Sequence, residues 1–405
     1  MSGSAKFDFA KRVGVSSAMI STEAWVIHAG PPKRKQDEPV PAALRLEKVT
    51  FPDLGDGDAL VEPVYGSWEA NMDHALRRDP VDVCRQRGED KIIIGNGAVV
   101  RVLRPGAAVT NVREGDLCLV MPFGTIDRYG YLRLVRGYDQ PGSHGVLARR
   151  LPWPADLLLP LPAGTRYSPL QWAASYLRYF TAWDNWKVAE ACWRAQMPED
   201  DEQPLVFGWG GGVVLGELEL AKRAGFAVAM ASSNRKRLDD IASRGITPVD
   251  RRLFPDLACS EEARRSPVVK QRYLLSEKAF LNEIKAISHG RGASIVLDNI
   301  GGDIYRATMR SLARQGVIST VGWKLGMKLW NVRATECIQR HIHVHTHGWR
   351  FFDSPVIRDF MAETNWIPGV DADQVYPFEQ IPQLADDYSR GVLDSYFPTY
   401  QINEL

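Results

Sequence analysis

A glycine-rich segment between a predicted strand and a predicted helix places the strongest constraint on the fold. Leu205-Val-Phe207 is a short apolar run typical of a buried strand, and Gly208-Trp209-Gly210-Gly211-Gly212 follows it directly. Residues 217–224 have the pattern of a helix, and a second apolar run ends at Ala231, about 20 residues after the glycines. Strand, glycine turn, helix and second strand predict one unit of a doubly wound parallel α/β sheet.

The same segment predicts a dinucleotide site. Glycines let the backbone approach phosphate groups, and the N-terminus of the next helix offers free N–H groups and a partial positive charge. A glycine turn that serves only close packing is the alternative interpretation. The expected contacts to the dinucleotide come from six consecutive residues, Gly208, Trp209, Gly210, Gly211, Gly212 and Val213.

The end of the second strand indicates which nicotinamide dinucleotide binds. A site for NAD has an acidic residue there, which accepts a hydrogen bond from the ribose 2′-hydroxyl. This chain instead reads Ser232-Ser233-Asn234-Arg235-Lys236. Hydroxyl groups and a guanidinium suit a 2′-phosphate, although a solvated basic helix start would have the same pattern. We therefore predict NADPH as the cofactor, with Ser232, Ser233 and Arg235 at its 2′-phosphate.

Composition is that of an ordinary globular protein. The 405 residues are 45% hydrophobic and 24% charged with a net charge of +1, so no strong field attracts nucleic acid or an anionic membrane. No apolar run approaches the ~18 residues of a membrane helix, and the N-terminus lacks a secretory apolar core. The five scattered cysteines form no Cys-x-x-Cys pair, which suits a reducing compartment. We expect a cytoplasmic protein without nucleic-acid or membrane partners.

The pattern of elements predicts how the chain is organised. Residues 1–45 look irregular and are predicted to be an N-terminal extension. Residues 46–170 are mostly short strands, and residues 171–348 alternate strands with helices. Residues 349–405 are predicted to return to the first domain. A charged stretch, 256–278, interrupts the alternation and is predicted to be a surface insertion.

Six short motifs, in order, resemble those of the medium-chain dehydrogenase/reductase superfamily. They are Gly95-Asn-Gly-Ala-Val-Val, Val112-Arg-Glu-Gly-Asp116, Gly142-Ser-His-Gly-Val-Leu-Ala148, Phe180-Thr181-Ala182-Trp183, Asp298-Asn299-Ile-Gly301-Gly302 and Val321-Gly322-Trp323. The resemblance covers the chain from about Leu44 onward. It implies a Rossmann sheet inserted in a β-rich, GroES-like catalytic domain. It also implies that further residues contact the cofactor, namely Thr181, Asn299, Val321, Gly322 and Trp323.

Two departures from that family change the expected chemistry. Its zinc-dependent members bind a catalytic metal through a cysteine and the histidine of a Gly-His-Glu motif, but Asn96 stands at this histidine and residues 66–74 include no cysteine. An amide with mixed oxygen ligands makes a poor zinc site, so we expect no metal. Val214 stands where many relatives have the last glycine of the turn, and Gly216 is a candidate to compensate.

Among zinc-free members, the chain is most similar to enoyl-thioester reductases of the crotonyl-CoA carboxylase/reductase type. Ser232-Ser233, the charged insertion and residues 322–348 carry this likeness. It implies NADPH-dependent reduction of an enoyl thioester in secondary metabolism, with CoA or an acyl carrier protein bearing the substrate, and a homodimer. The alternatives are a zinc-free quinone or enone reductase, an NADPH-binding sensor without catalysis, and a cyclase or carboxylase that uses the enolate differently.

Hydride addition to the β-carbon creates an enolate, which requires a nearby hydrogen-bond donor or acid. The candidates are Tyr65, Glu69, Asn71 and His74, with Tyr65 and His74 preferred and Asn71 as an amide that orients the substrate. Each could equally be a structural residue. The alternating histidines 341, 343, 345 and 347 favour a polar strand face at a dimer interface over a metal site. Arginines 128, 133 and 136 are candidates to bind a phosphopantetheine arm.

Overall fold

The computed structural model describes residues 19–32, 38–197, 203–322, 340–346 and 348–405, with the side chains at 345 and 346 excepted. Trp323, Cys337 and His347 therefore lie outside the described residues.

The N-terminal part consists mostly of short strands, as the sequence predicts. Its described helices are α1 (Ala70–Arg77) and α2 (Val83–Arg87). Its described strands are β1 (Ile20–His28), β2 (Arg45–Phe51), β3 (Asp58–Ser67), β4 (Lys91–Ile93), β5 (Ala98–Pro105), β6 (Leu117–Val120), β7 (Phe123–Ile126), β8 (Leu132–Val135), β9 (Leu151–Pro154) and β10 (Leu158–Pro160).

These strands form antiparallel sheets around a common core. β1 pairs with β2 and β4, and β3 pairs with β5 and β9. Residues from both groups of strands belong to one apolar cluster, which includes the fully buried Trp68 and Trp153. Burial of such large side chains is the main source of stability in this part.

β1 shows that the expectation of irregular structure up to residue 45 is wrong for residues 20–28. Alternate side chains of β1, those of Ile20, Thr22, Ala24 and Val26, are buried. Strands distant in the sequence satisfy its backbone hydrogen bonds, because β1 lies between β2 and β4. The neighbouring Pro31-Pro32 and the charged residues that follow conceal this pairing from a local interpretation.

A long helix, α3 (Pro169–Arg194), connects the two parts. Ser168 and Gln171 form a capping box at its N-terminus, and Pro169 occupies its first turn. Such a cap contributes about 1 kcal/mol. α3 contacts strands β3 and β5 on one side and α4, β14 and β15 on the other. It is therefore buried around most of its circumference.

The second part alternates strands and helices in chain order. Its described elements are β11 (Leu205–Trp209), α4 (Gly212–Arg223), β12 (Ala227–Ser232), α5 (Arg235–Ser243), β13 (Thr247–Asp250), α6 (Pro267–Ile287), β14 (Ala293–Asp298), α7 (Tyr305–Ser311), β15 (Leu312–Thr320) and β16 (His343–Thr346). The strands form a parallel sheet in the order β13-β12-β11-β14-β15-β16. The strand order changes direction between β11 and β14, and ligands bind at this switch point in such sheets.

The C-terminal residues contribute to both parts. The described elements there are α8 (Ser354–Thr364), β17 (Tyr376–Pro377), α9 (Ile381–Arg390) and β18 (Thr399–Gln401). α8 packs against α3, whereas β18 pairs with β3 in the first sheet. The predicted fold, a Rossmann sheet inserted in a β-rich part, is therefore confirmed. No helix in the described part of the chain is long and apolar enough to cross a membrane.

Candidate cofactor cleft

The glycine turn joins β11 to α4, as predicted. Every residue of β11 is buried, and α4 begins at Gly212 with Gly211 as its N-cap. A Cβ atom at Gly211 would meet no atom within 4 Å, whereas a Cβ at Gly212 would lie 2.6 Å from Cδ of Arg178. The backbone N–H groups at the start of α4 therefore lie beside open space at Gly211, where a pyrophosphate fits the partial positive charge.

Val214 fills the space that the glycines provide. A Cβ at Gly208 would lie 2.3 Å from Cγ1 of Val214, and one at Gly210 would lie 2.6 Å from its Cγ2. Gly216, two residues after Val214, lets α3 approach closely, since a Cβ there would lie 3.0 Å from the ring of Tyr179. Gly216 therefore provides the close packing between helices that the sequence analysis suggested could compensate for Val214.

The predicted 2′-phosphate residues lie together at the end of β12. Ser232 is buried and Ser233 is exposed. Asn234 caps α5 by accepting a hydrogen bond from the backbone N–H of Arg237 at 3.1 Å. The side chain of Arg235 is 76% exposed and pairs with Asp239 at 3.3 Å. Because that pair is highly exposed, it restrains Arg235 only weakly.

Asn299 links the ends of β14 and β15 on the other side of the switch point. Its Oδ1 accepts hydrogen bonds from the backbone N–H groups of Val321 at 3.0 Å and Gly322 at 3.2 Å. The backbone N–H of Asn299 donates to the carbonyl of Trp209 at 3.1 Å. These predicted cofactor residues therefore form one connected edge beside the glycine turn.

A buried ion pair lies between the candidate catalytic segment, residues 65–74, and the glycine turn. Arg178 on α3 donates to Oε1 of Glu69 at 2.7 Å, to the carbonyl of Trp68 at 2.6 Å and to the hydroxyl of Ser67. Burial raises the pKa of Glu69, and the Arg178 charge opposes that effect by favouring the carboxylate. Glu69 is thus an ion-pair partner in this structure. Arg178 is a residue that sequence reasoning missed, although an arginine within the aromatic run Tyr176–Phe180 is an unusual signal.

The remaining predicted catalytic residues lie on β3 and α1. Tyr65 is half-buried on β3, and the buried Oδ1 of Asn71 accepts no hydrogen bond from the described residues. His74 is 6% exposed, and its Nδ1 lies 3.2 Å from Nη2 of Arg77. Burial, together with the Arg77 charge, lowers the pKa of His74. The lowered pKa favours a neutral imidazole. Such a ring can accept a proton at one nitrogen and donate from the other, but it has no positive charge.

Where zinc-dependent relatives bind the metal, the described residues offer few ligands. Asn96 is 7% exposed, and a Cβ on its neighbour Gly97 would lie 2.5 Å from Cδ1 of Leu177, so an apolar side chain packs beside it. Within the described ranges, no three His, Cys, Asp or Glu side chains come together as a metal site.

Two further groups named in the sequence analysis, the arginines and the histidines, have defined surroundings in the structure. Arg136 is half-buried, and its guanidinium lies over the Trp153 ring at 5.1 Å. Arg128 contacts the ring of the exposed Tyr129. His343 begins β16, the edge strand of the parallel sheet, and His341 precedes this strand in an exposed position.

Comparisons of the sequence with known proteins give one weak similarity. No protein-family model matches the sequence. Squalestatin hexaketide synthase from Cochliobolus lunatus is 22% identical over 274 residues, which are 66% of this chain and 9% of that protein. The chain thus spans less than a tenth of the length of the curated relative that it matches.

Solved structures are similar over nearly the whole chain. The crotonyl-CoA carboxylase/reductase AntE in complex with NADP has a TM-score of 0.72 and 20% identity, covering 94% of both chains. The 2-octenoyl-CoA carboxylase reductase CinF from Streptomyces has a TM-score of 0.72 and 18% identity, covering 91% of this chain and 85% of CinF. A thermostable alcohol dehydrogenase from Pyrobaculum aerophilum has a TM-score of 0.67 and 17% identity, covering 95% and 100%. The chain has the two-domain fold of these carboxylase/reductase and alcohol dehydrogenase structures.

Proposed function

We propose that this chain is an NADPH-dependent reductase of an activated carbon–carbon double bond, with an enoyl thioester as the substrate class and without catalytic zinc. The open N-terminus of α4 at Gly211 carries this proposal, because it suits a pyrophosphate. The hydroxyl and cationic groups at the end of β12 suit a 2′-phosphate. Two structures of this fold, described as NADP complexes, one also with 2-octenoyl-CoA, give further support.

The chain's own residues would bind and orient the reactants. NADPH, when bound, supplies a hydride to the β-carbon. The backbone N–H groups of Gly211, Gly212 and Val213 would bind the pyrophosphate, and Thr181 on α3 and the edge built by Asn299 would complete the cofactor contacts. Among the candidate catalytic residues, Tyr65 and Asn71 would donate hydrogen bonds to the substrate carbonyl, which stabilises an enolate. His74, as a neutral imidazole, would relay a proton.

Turnover with defined substrates tests this function. We expect loss of NADPH absorbance with enoyl-CoA or enoyl-carrier substrates, in the absence of added zinc and after treatment with a chelator. Turnover with quinones or simple enones but not with thioesters would contradict the proposed substrate class and support the alternative, a quinone or enone reductase. Tight NADPH binding without turnover of any substrate would support the sensor alternative.

Arg235 tests the cofactor preference. Because its exposed side chain is free to reorient toward a 2′-phosphate, Arg235→Ala is expected to weaken NADPH binding by about tenfold or more while leaving NADH binding nearly unchanged. Titration with both dinucleotides measures this difference. Equal losses for the two would show that Arg235 does not recognise the phosphate.

The partners of this reductase are also proposals. If an acyl carrier protein is the partner, an enoyl group attached to that protein, in place of CoA, should be reduced with saturable kinetics. A homodimer is supported by β16, which lies at the edge of the sheet, since edge strands can pair with a second chain. Light scattering on the purified protein measures that state, and a monomer would contradict it.

A further inference from the structure

A C-terminal segment, residues 393–398, crosses from the 2′-phosphate residues to the catalytic segment. At one end, Arg237 donates to three carbonyl groups of this crossing segment, those of Leu393, Asp394 and Ser395, at 2.9, 3.0 and 3.1 Å. At the other end, the carbonyl of Pro398 accepts from the backbone N–H of Trp68 at 2.9 Å. The crossing segment is therefore fixed at both ends.

The middle of the crossing segment contacts the glycine turn. A Cβ at Gly212 would lie 3.1 Å from the carbonyl oxygen of Tyr396 and 2.9 Å from Cε1 of Phe397. The Tyr396 ring also lies under the guanidinium of Arg237 at 4.7 Å. These contacts leave the backbone around Asp394 little freedom to move away from the cofactor cleft.

The carboxylate of Asp394 binds the two residues on either side of Arg235, next to the predicted 2′-phosphate residues. Its Oδ1 accepts from Nδ2 of Asn234 at 2.8 Å, and its Oδ2 lies 2.6 Å from Nζ of Lys236. The hydrogen bonds from Lys236 and Asn234 lower the pKa of Asp394, so this carboxylate is charged at neutral pH.

We propose that Asp394 is a specificity-determining residue, which competes with the 2′-phosphate of NADPH for Lys236 and Asn234. This inference rests on the proposed cofactor site. A phosphate at the end of β12 and the Asp394 carboxylate are both anions, so they repel each other, and the Lys236 ammonium group cannot pair fully with both. Because Arg237 fixes the backbone on each side of Asp394, the repulsion persists when NADPH binds. NADH, which has a hydroxyl group at this position, does not experience it.

Replacing the carboxylate by an amide of the same shape tests the proposal. Asp394→Asn is expected to tighten NADPH binding by about three- to fivefold, the upper range of a partly exposed charge interaction, and to leave NADH binding within about twofold. Isothermal titration of the purified full chain with each dinucleotide measures both. Asp386→Asn is the matched control, because Asp386 is an exposed partner of Arg390 on α9, and it should change neither affinity.

A second variant shows whether Asp394 acts through Lys236. In a Lys236→Met background, Asp394→Asn should tighten NADPH binding by a smaller factor than in the wild type. Unchanged NADPH affinity for Asp394→Asn would overturn the proposal while leaving the proposed function intact. Weaker NADH binding would also overturn it, because Asp394 would then accept a hydrogen bond from the ribose. Wild-type protein that binds neither dinucleotide would overturn both this inference and the proposed function.

Discussion

Individual side chains determine how charge is distributed inside the cleft. The side chains of Arg178 and Glu69 are 6% and 15% exposed, so neither is well solvated. The guanidinium of Arg178 is surrounded by acceptors of one segment, the hydroxyl of Ser67, the carbonyl of Trp68 and the Glu69 carboxylate. An arrangement of this kind compensates for desolvation only while both partners are present.

Removal of one partner should therefore be costly. Arg178→Met is expected to lower the free energy of unfolding by about 3 kcal/mol, since it leaves the Glu69 carboxylate buried without a counter-charge. Urea denaturation measures the loss. The double variant Arg178→Met/Glu69→Gln should recover part of it, because no buried charge remains. A double variant no more stable than Arg178→Met would show that the pair is not the cause.

Glu217 should make stability depend on pH. It is fully buried on α4, where Asn185 donates to its Oε1, and burial raises the pKa of Glu217 to about 8 from 4.5. A raised folded-state pKa means that folding favours the protonated form. Its contribution is complete below pH 4.5 and declines as the pH rises toward 8.

Glu217→Gln retains the acceptor but cannot ionise. The stability difference between Glu217→Gln and wild type is expected to shift in favour of the variant as the pH increases from 5 to 8. Thermal denaturation across this range measures the difference, and other titrating groups cancel in the comparison. A difference that does not change with pH would contradict the raised pKa.

Among the elements, the start of α4 combines close packing with an open face. Gly208, Gly210 and Gly212 face side chains that a Cβ would overlap, whereas Gly211 faces open space. Gly208, Gly210 and Gly212 are therefore needed for the fold. Replacement of Gly211 can test binding without a change in folding. Its φ of −115° is negative, so an L-residue does not require the left-handed region there.

Gly211→Ala is expected to leave stability within about 0.5 kcal/mol of wild type and to weaken NADPH binding by about tenfold, because the added methyl group occupies the phosphate position. Gly57→Ala is the matched control, since its Cβ also meets no atom within 4 Å but lies before β3. Dinucleotide titration and thermal denaturation of both variants measure these effects. Equal NADPH affinity for the two variants would contradict a phosphate site at α4.

At the scale of the whole molecule, one apolar cluster contains residues of both parts. The largest buried cluster includes Val99 and Leu119 from the first part, Val206 and Leu215 from the Rossmann part, and aromatic residues of α3. Trp366 adds a C-terminal contact by donating to the carbonyl of Gly216 at 3.1 Å. A core of this kind couples the stabilities of the parts that it joins.

The shared core predicts one cooperative unfolding transition. Near-UV and far-UV circular dichroism should give the same unfolding midpoint. α3 packs against both parts, so unfolding of one part exposes apolar side chains of the other. NADPH at about 100 times its Kd should add about 2.7 kcal/mol of stability if it binds only the folded chain. Two separated transitions would contradict the coupling.

The sequence by itself determined the features that depend on neighbouring residues. The strand, glycine turn, helix and second strand around Gly208–Gly212 follow from local periodicity and from the lack of a Cβ, so they could be predicted. The short strands of the first part follow from their apolar alternation in the same way. β1 could not be predicted, because its partners β2 and β4 lie elsewhere in the sequence.

Only the tertiary structure decided which charges meet in the cleft. Glu69 and Arg178 are separated by 109 residues, and Lys236 and Asp394 by 158. No local pattern relates such positions, since their contact depends on how α3 and the C-terminal residues pack between the sheets. The sequence thus indicated where a dinucleotide would lie, and the folded chain determined which charged side chains lie beside that position.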